Sequence, residues 1–246
     1  MSKIHARMNT IAVIFAGGSG KRMNTKAKPK QFLELHGKPI IIYTLELFDQ
    51  HPMIDHIVVA CIESWIPYLK ELLRRFEIKK VVEIVPGGET GQDSIYNGLE
   101  AAERHSHKDS IVLIHDGVRP LIEEKTITDN IEEVKKSGSC ITCIPATETL
   151  VVKQENNTLH IPERSNSLIA RAPQSFILSD ILDAHRKARQ ENRHDFIDSC
   201  TLMNHYGHKL STIIGPVENI KITTPTDFFM FRAIIDVKEN SQIFGF

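Results

Sequence analysis

A glycine-rich segment with neighbouring cations is the strongest indication of chemistry in the sequence. Residues 16–23 read Ala-Gly-Gly-Ser-Gly-Lys-Arg-Met and directly follow a short apolar run. Glycines let backbone N–H groups come close to an anion, and Lys21 and Arg22 add positive charge beside them. A tight turn that merely joins a strand to a helix is the alternative, but the cations favour a phosphate loop. The candidate phosphate-binding residues are Ala16, Gly17, Gly18, Ser19, Gly20 and Lys21.

The amino-acid sequence of this loop excludes two familiar nucleotide-binding motifs. Met23 stands where the dinucleotide-binding motif requires its third glycine. Arg22 follows Gly20 and Lys21 at the position where a Walker loop requires Ser or Thr. The sequence therefore predicts a phosphate site of a different kind.

A second basic segment lies just downstream, where residues 26–32 read Lys-Ala-Lys-Pro-Lys-Gln-Phe. Pro29 restricts the backbone beside Lys30 and would hold its ammonium group in place. A solvated loop is the alternative, since three like charges within five residues repel one another. Because the glycine loop is so near, Lys30 is a candidate to neutralise a triphosphate.

Two further motifs follow predicted strands. Residues 115–120 read His-Asp-Gly-Val-Arg-Pro, so Asp116 could hold a divalent cation and Arg119 could bind a phosphate, with Gly117 between them. Asp at the end of a strand is otherwise a common turn former. Gly87 and Gly88, with Ser94 at the start of the next helix, offer close backbone approach and a hydroxyl to a base or ribose; alone, this glycine pair is a weak signal.

These motifs must be positioned by a repeated alternation of short β-branched runs and amphipathic stretches. Such alternation is typical of β-α-β units on a mostly parallel sheet, where ligands bind beyond the carboxyl ends of the strands. The fold class is therefore α/β. The predicted strands are 11–16, 57–62, 81–85, 110–115, 140–145, 210–214 and 219–223, and the predicted helices are 33–48, 65–76, 94–104, 126–136, 178–190 and 227–237.

A projecting hairpin interrupts this alternation. Residues 149–153 and 158–161 are short strand-like runs on either side of a polar turn, within an arm that we place at 148–168. An isolated two-stranded hairpin is only marginally stable in water, so we expect the arm to pack against a second copy of the chain. With this arm, residues 1–246 are predicted to form a single domain.

Composition excludes several classes of function. The 246 residues carry 30 Lys and Arg against 31 Asp and Glu, a net charge of −1 that argues against a dedicated nucleic-acid binder. No apolar run approaches the ~20 residues needed to cross a bilayer, and the N-terminus lacks a secretion signal. The four cysteines are too scattered for a disulfide framework. We therefore expect a cytoplasmic protein without a membrane or nucleic-acid partner.

Taken together, the motifs resemble the cytidylyltransferases that activate small polyol phosphates. This family includes 2-C-methyl-D-erythritol 4-phosphate cytidylyltransferase and ribitol-5-phosphate cytidylyltransferase. The resemblance runs from Ile11 to about Ile235, and it implies a three-layer α/β/α Rossmann-like nucleotidyltransferase fold. Its anchors are residues 16–23, 29–32, 87–94, 115–120, 172–176 and 218–228.

The resemblance also implies roles for individual residues. Arg22 and Lys30 would stabilise the transition state at the α-phosphorus of CTP, and Gly88 and Ser94 would contact the cytidine. Asp116 would lie near Mg²⁺, which Glu218 would also serve. Arg119 and Lys221 would face the polyol phosphate, with Lys221 also counted as catalytic. From the arm, Thr149 and Arg164 would reach across a homodimer interface to the neighbour's substrate phosphate.

Several positions depart from the pattern of the methylerythritol enzymes. Gly91 replaces an arginine that follows the glycine pair, Ala172 replaces a threonine, and Ile197 with Ser199 replaces a threonine and a glutamate. The residues at 16–18 and 198–200 are more similar to those of the ribitol-phosphate enzymes than to those of the methylerythritol enzymes. The sequence therefore predicts transfer of CMP from CTP to a small polyol phosphate such as ribitol 5-phosphate, with release of pyrophosphate.

Three alternatives stay open at this stage. One is 2-C-methyl-D-erythritol 4-phosphate as the acceptor in isoprenoid synthesis, in place of a polymer or capsule precursor. Another is a sugar-1-phosphate nucleotidyltransferase that uses UTP or GTP. The third is a catalytically silent nucleotide-binding protein, which the missing hydroxyls near the acceptor would permit.

Overall fold

The structure is a computed structural model that describes residues 8–18, 28–154 and 156–244. The described strands are β1 (Thr10–Ala16), β2 (Glu34–Leu35), β3 (Lys38–Pro39), β4 (His56–Cys61), β5 (Val81–Pro86), β6 (Ile111–Asp116), β7 (Ser139–Pro145), β8 (Val152–Lys153), β9 (Leu159–His160), β10 (Leu168–Ile177) and β11 (Thr212–Ile214). The helices are α1 (Ile40–Gln50), α2 (Ile66–Arg75), α3 (Gly91–His105), α4 (Glu124–Ser137), α5 (Leu178–Gln190), α6 (Ser199–His205) and α7 (Pro225–Phe244).

Seven of these strands form one sheet in the order β11-β7-β10-β6-β1-β4-β5. The neighbours of β1 are both parallel to it, as are β4 with β5 and β11 with β7. Strand β10 is antiparallel to both of its neighbours. The mostly parallel α/β sheet predicted from the sequence is therefore confirmed.

Helices cover both faces of the sheet and make three layers. On one face α3, α5 and α6 bury apolar side chains against alternate residues of the strands, including Val13, Val58 and Val112. On the other face α1, α2 and α4 do the same against the residues in between, such as Ile14 and Val59. Burial on both faces explains why the central strands are continuous runs of Ile, Val and Leu.

Several elements differ from the sequence-based expectation, and α7, for example, ends at Phe244 and not at residue 237. Helix α1 begins at Ile40 and not at residue 33, because His36 and Gly37 have φ angles of 48° and 75° and form a tight turn between β2 and β3. Residues 219–223 are not a strand; they lie in a loop in which Ile222 N–H donates to Val118 O. Strand β10 and helix α6 had no predicted counterpart.

The predicted hairpin is present as a separate two-stranded sheet of β8 and β9. Several large apolar side chains of this segment are exposed, among them Leu159 at 65% and Ile161 at 61%. Among the described residues, no helix is both long and apolar enough to span a bilayer.

Candidate active site

Two adjoining chambers open at the carboxyl ends of β1 and β6, and they meet at Phe15, Gly91, Asp116 and Lys221. The larger has a volume of about 560 Å³ and the smaller about 210 Å³. The larger is also lined by Ala16, Gly17, Gly18, Lys30, Gln31, Gly88, Glu89, Thr90, Ser94 and Val118. The smaller is also lined by Ile95, Ile114, Arg119, Ala170, Arg171, Ala172, Gln174, Ile197, Asp198 and Ser199.

Glycines allow two backbone segments to approach each other at the floor of the larger chamber. A Cβ atom on Gly17 would lie 2.7 Å from Ser94 Oγ, and one on Gly87 would lie 3.0 Å from Gly17 Cα. A Cβ on Gly88 would lie only 2.2 Å from Asp93 Cβ. The loop after β1 and the loop after β5 are therefore packed backbone to backbone, with no room for side chains between them.

Ser94 ties this floor to the first turn of α3. Gly88 N–H donates to Ser94 Oγ at 3.0 Å, and the same hydroxyl donates to Thr90 O at 2.9 Å. Thr90 is the N-cap, because its Oγ1 accepts from Asp93 N–H. The amino end of a 15-residue helix therefore borders the chamber, where its dipole favours an anionic group.

Lys30 reaches the chamber from a short 3₁₀ turn, Lys30–Phe32, that is fixed at two points. The Gln31 side chain donates to Ala16 O at 2.6 Å and is 1% exposed. Phe32 is fully buried and stacks on Trp65, with ring centroids 4.9 Å apart. The turn is thus anchored to the end of β1 and to α2, so the position of Lys30 is set by its neighbours.

The junction between the chambers is a compact cluster of charges. Lys221 Nζ lies 2.6 Å from Asp116 Oδ1, and Arg119 Nε donates to Asp116 Oδ2 at 2.7 Å. The side chains of Asp116 and Arg119 are 7% and 9% exposed, whereas that of Lys221 is 39% exposed. Lys221 is therefore the member of this cluster that a ligand reaches most readily.

Hydrogen bonds from side chains to backbone carbonyl groups hold Asp116, Arg119 and Lys221 together, although about a hundred residues of sequence separate them. Arg119 Nη1 donates to Asn219 O at 2.8 Å, and Asn219 Nδ2 donates to Ala172 O at 2.7 Å. His115 Nε2 donates to Arg119 O at 3.2 Å. These bonds position the loop after β6 against the segment that carries Lys221.

The neighbouring cations keep Asp116 ionised, and burial keeps His115 neutral. Burial by itself would raise the pKa of the Asp116 carboxyl, but the charges of Lys221 and Arg119 hold that pKa well below its ordinary value. Burial lowers the pKa of His115 to about 4. At neutral pH the junction therefore carries one buried carboxylate and two cations beside an uncharged imidazole.

The smaller chamber is polar at Gln174 and Asp198. Gln174 Oε1 accepts from Cys200 N–H at 2.8 Å, and its Nε2 lies 3.3 Å from Asp198 Oδ2. Asp198 is the N-cap of α6, and its Oδ1 accepts from Thr201 N–H at 2.8 Å. The strand β10 and the start of α6, neither of them predicted from sequence, together build this wall.

Among the described residues, two carboxylates lie where a divalent cation could bind beside the triphosphate site. Asp116 and Glu89 line the larger chamber, and each Asp116 oxygen has a second lone pair beyond the one facing its cation. Glu218 is exposed and lines neither chamber. Mg²⁺ commonly takes one or two protein carboxylates and completes its shell with phosphates and water, so Asp116 fits such an ion.

The structure brings most of the sequence-predicted site residues together. Ala16, Gly17, Gly18, Lys30, Gly88, Ser94, Asp116, Arg119 and Lys221 line the chambers. Gly87 and Gly117 lie directly behind them, in contact with Gly17 and Ala16 respectively. Ser19, Gly20, Lys21 and Arg22 lie outside the described residues.

Three predicted residues are not brought to the chambers. Glu218 is exposed and lines neither chamber, and Thr149 and Arg164 are exposed on or beside the arm. Sequence reasoning also missed residues that do line the chambers, namely Thr90, Glu89 and Arg171. For Arg171 a signal existed, because it is a lone cation within the otherwise apolar start of β10.

A mostly parallel sheet, with a glycine-lined chamber at the carboxyl ends of its strands beside a buried carboxylate and a partly exposed lysine, has the features of an α/β nucleotidyltransferase. A sequence model of the 2-C-methyl-D-erythritol 4-phosphate cytidylyltransferase family matches residues 10–237. The chain belongs to this family, and its enzyme class is accordingly that of the cytidylyltransferases.

The chain is similar to two bacterial ribitol-5-phosphate cytidylyltransferases. It is 55% identical to the one from Vibrio parahaemolyticus serotype O3:K6, over 96% of this chain and 99% of that protein. It is 53% identical to the one from Streptococcus agalactiae serotype V, over 97% and 100%. A solved structure of 4-diphosphocytidyl-2C-methyl-D-erythritol synthase from Anaerococcus prevotii has the same fold, with a TM-score of 0.81 at 24% identity, covering 94% of this chain and 100% of that one.

Proposed function

We propose that this protein transfers CMP from CTP to ribitol 5-phosphate and releases pyrophosphate. The observation that carries the proposal is the pair of chambers that meet at Asp116 and Lys221. Two adjoining sites that meet at a cation suit a reaction between two anionic substrates, because the cation reduces the repulsion between them. The choice of acceptor is supported by the names of the relatives that are 53% and 55% identical over almost the whole chain.

The nucleotide occupies the larger chamber in this proposal. Its triphosphate lies on the backbone of Gly17 and Gly18, with Lys30 facing it. The cytidine lies against the loop after β5, where Gly88 and Ser94 fix the backbone at the start of α3. Close packing at Gly17 and Gly87 leaves no room for side chains beneath the ligand.

The acceptor enters the smaller chamber with its phosphate at the junction. One phosphate oxygen attacks the α-phosphorus of CTP in line, the bond from that phosphorus to the bridging oxygen of the β-phosphate breaks, and pyrophosphate leaves with the electron pair. Little covalent chemistry falls to the protein, which positions the reactants and stabilises charge. Lys221 reduces the repulsion between the two anions, while Arg22 and Lys30 stabilise the charge that grows at the transferred phosphate.

We assign the carboxylate of Asp116 as the protein ligand of a Mg²⁺ ion bound with the triphosphate. The ion supplies charge neutralisation for the phosphates. Asp116 is suited to this role because Lys221 and Arg119 keep its pKa below the ordinary range, so the carboxylate is ionised at every working pH. Removal of divalent ions with a chelator should abolish pyrophosphate release, and Asp116→Asn should raise the Mg²⁺ concentration needed for half-maximal rate.

The active form is a homodimer in this proposal. The arm exposes apolar side chains, including Val152 and Leu159, that a second copy of the chain would cover. Thr149 and Arg164 are exposed in the same part of the chain, and we assign them to the acceptor phosphate of the neighbouring protomer. The four cysteines are unpaired, which is consistent with a reducing, cytoplasmic location. In this proposal the whole chain acts as a single domain.

One alternative acceptor has its own support. The family model that matches residues 10–237 is described as 2-C-methyl-D-erythritol 4-phosphate cytidylyltransferase. Its acceptor has a four-carbon chain with a methyl branch, whereas ribitol 5-phosphate has an unbranched five-carbon chain. The two therefore differ in the number of hydroxyls presented to the smaller chamber.

A matrix of substrates tests the proposed function. Each of CTP, UTP, GTP and ATP is combined with ribitol 5-phosphate, 2-C-methyl-D-erythritol 4-phosphate and a hexose 1-phosphate, and pyrophosphate release is measured. We expect turnover with CTP and ribitol 5-phosphate, with a kcat/KM at least about 100-fold above every other combination.

Other outcomes would identify the rival functions. Preference for the methylerythritol acceptor would select the alternative pathway, and preference for UTP or GTP with a hexose phosphate would select a sugar nucleotidyltransferase. Calorimetric binding of CTP with no pyrophosphate release from any acceptor would show a silent nucleotide-binding protein.

A further inference from the structure

Arg171 is a cation of the smaller chamber that the mechanism above does not use. It lies in β10 where the pairing with β7 shifts register between Ala170 and Gln174, and its side chain lines the smaller chamber but not the larger. Its Nε atom is fully buried and has no hydrogen-bond partner among the residues that the structure describes. A buried donor without a partner costs free energy, so this geometry calls for a ligand.

The charges around Arg171 point the same way. Arg119 is neutralised by Asp116, but no described carboxylate forms an ion pair with Arg171. Burial, and then the positive charge of Arg119, lower the pKa of Arg171. The chamber therefore holds a guanidinium group whose donors are satisfied neither by a counter-ion nor, at Nε, by a neighbouring carbonyl.

An acceptor group lies on the same chamber. Asp198 Oδ1 accepts from Thr201 at the start of α6, and Oδ2 lies 3.3 Å from Gln174 Nε2, a long contact that leaves this oxygen able to accept from a ligand. The chamber thus offers strong donors on Arg171 and a carboxylate oxygen on Asp198, beside the apolar side chains of Ile95 and Ile114. This combination suits vicinal hydroxyls, each of which both donates and accepts a hydrogen bond.

We propose that Arg171 is a specificity-determining residue that donates hydrogen bonds to the hydroxyls at the end of the polyol chain remote from the reacting phosphate. The inference rests on the proposed function, which puts the acceptor phosphate at the junction beside Lys221. Unlike Asp116 and Lys221, Arg171 does not line the larger chamber as well, and unlike Arg119 it makes no ion pair with Asp116 at the junction, so in this proposal it faces the hydroxyls and not the phosphate. Recognition of the acceptor by Arg171 thereby depends on the length of the polyol chain.

A ladder of acceptors tests this role. Ribitol 5-phosphate, erythritol 4-phosphate and glycerol 3-phosphate lose one hydroxylated carbon at each step while keeping the phosphate. In Arg171→Met we expect kcat/KM for ribitol 5-phosphate to fall about 10- to 100-fold, as for loss of a charge-assisted hydrogen bond. The loss for glycerol 3-phosphate should stay within about 3-fold, and the KM for CTP should be unchanged, because neither contacts Arg171.

Two variants control the measurement. Arg75→Met makes the same substitution at an exposed arginine of α2 that lines neither chamber, and it should leave all three acceptors unaffected. Arg171→Lys keeps the charge and the aliphatic stem but loses the planar fork of donors. In Arg171→Lys the decrease in kcat/KM should depend on the chain length of the acceptor in the same way but should be smaller. This variant provides the same test if Arg171→Met does not fold.

Three results would overturn the assignment. An equal loss for all three acceptors would mean that Arg171 binds the phosphate, and an increased KM for CTP would place Arg171 in the nucleotide site. A variant as active as the wild type on ribitol 5-phosphate would show that Arg171 has no role in recognition. If the wild type itself turned over no polyol phosphate, the proposed function would fail and take this inference with it, a result distinct from the other three.

Discussion

At the scale of single residues, the site is governed by the surroundings of Asp116. Its carboxylate is almost fully buried, and that burial is tolerable because Lys221 and Arg119 each pair with one of its oxygens. The stability that these ion pairs contribute to the fold decreases at low pH. Since the pKa in the folded state lies below the unfolded value of about 3.9, the pair stabilises the fold above that pH and loses this contribution as the pH falls further.

Lys221→Met is the residue-scale prediction. The substitution removes the cation that faces both chambers but leaves Asp116 paired with Arg119, so the fold should persist. We expect kcat to fall by about two orders of magnitude in the pyrophosphate-release assay, as for other preorganised charges. Lys125→Met, at an exposed lysine of α4, should leave kcat unchanged. A change in the KM for CTP with unchanged kcat would mean that Lys221 serves binding alone.

At the scale of elements, the site depends on how closely the loop after β5 approaches the first turn of α3. Thr90 caps α3, Ser94 returns to the backbone of Gly88, and the whole turn lies against the loop after β1. The glycine pair was a weak signal in the sequence, and the structure gives it a physical reason. Any side chain at Gly88 would collide with Asp93.

Gly88→Ala is the element-scale prediction, with Gly91→Ala as its matched control. The new methyl group at Gly88 would lie 2.2 Å from Asp93 Cβ and must push α3 away from the loop, at a cost of about 1 to 3 kcal/mol. At Gly91 a Cβ meets no atom within 4 Å, so alanine in the first turn of α3 should be neutral or slightly stabilising. Urea unfolding measures both. Equal effects of the two substitutions would contradict the close approach.

The elements that sequence patterns located well are those with uninterrupted periodicity. The central strands and helices α2, α4 and α5 lie within one or two residues of the expected bounds. Helix α1 was placed seven residues early because the apolar spacing from Leu33 continues through the turn at His36 and Gly37. Strand β10 was missed because Arg171 and Pro173 break its apolar pattern, although antiparallel pairing on both sides stabilises it.

At the scale of the whole molecule, the stability of the fold is linked to pH through buried histidines. His185 is 1% exposed, neither of its ring nitrogens has a hydrogen-bond partner among the described residues, and burial lowers its pKa to about 4. In the unfolded chain a histidine has a pKa of about 6.5. Between pH 6.5 and 4 the unfolded state therefore takes up protons that the folded state does not, and stability falls as the pH falls.

His185→Leu should reduce this pH dependence. The decrease in the free energy of unfolding between pH 7 and pH 4 should be smaller in the variant by up to about 3 kcal/mol, which corresponds to the difference between the two pKa values. Urea titrations at a series of pH values measure it. His107→Leu, at an exposed position, should keep the slope of the wild type. If the free energy of unfolding fell equally with pH in the wild type and in His185→Leu, His185 would be protonated in the folded state.

The proposed homodimer leads to the second prediction at this scale. Leu159→Asp places a charge on the exposed apolar surface of the arm, which should convert the dimer to a monomer in light scattering. If the partner's arm completes the acceptor site, the KM for the acceptor should rise about 10-fold or more while the KM for CTP is retained. Ile214→Asp, also at an exposed apolar side chain but on β11, should leave mass and kinetics unchanged. A wild-type monomer with full activity would refute the dimer.

The sequence by itself determined the class of sheet, the glycine floor and most of the charged residues that face it. These signals are local: strand periodicity, glycine spacing and a carboxylate at a strand end are each written within about ten residues. Only the tertiary structure decided which charges meet, because Asp116 and Arg119 contact Lys221 and Asn219 from a hundred residues away. It alone placed Arg171 in the smaller chamber and Glu218 outside both, since burial and long-range packing are properties of the folded chain.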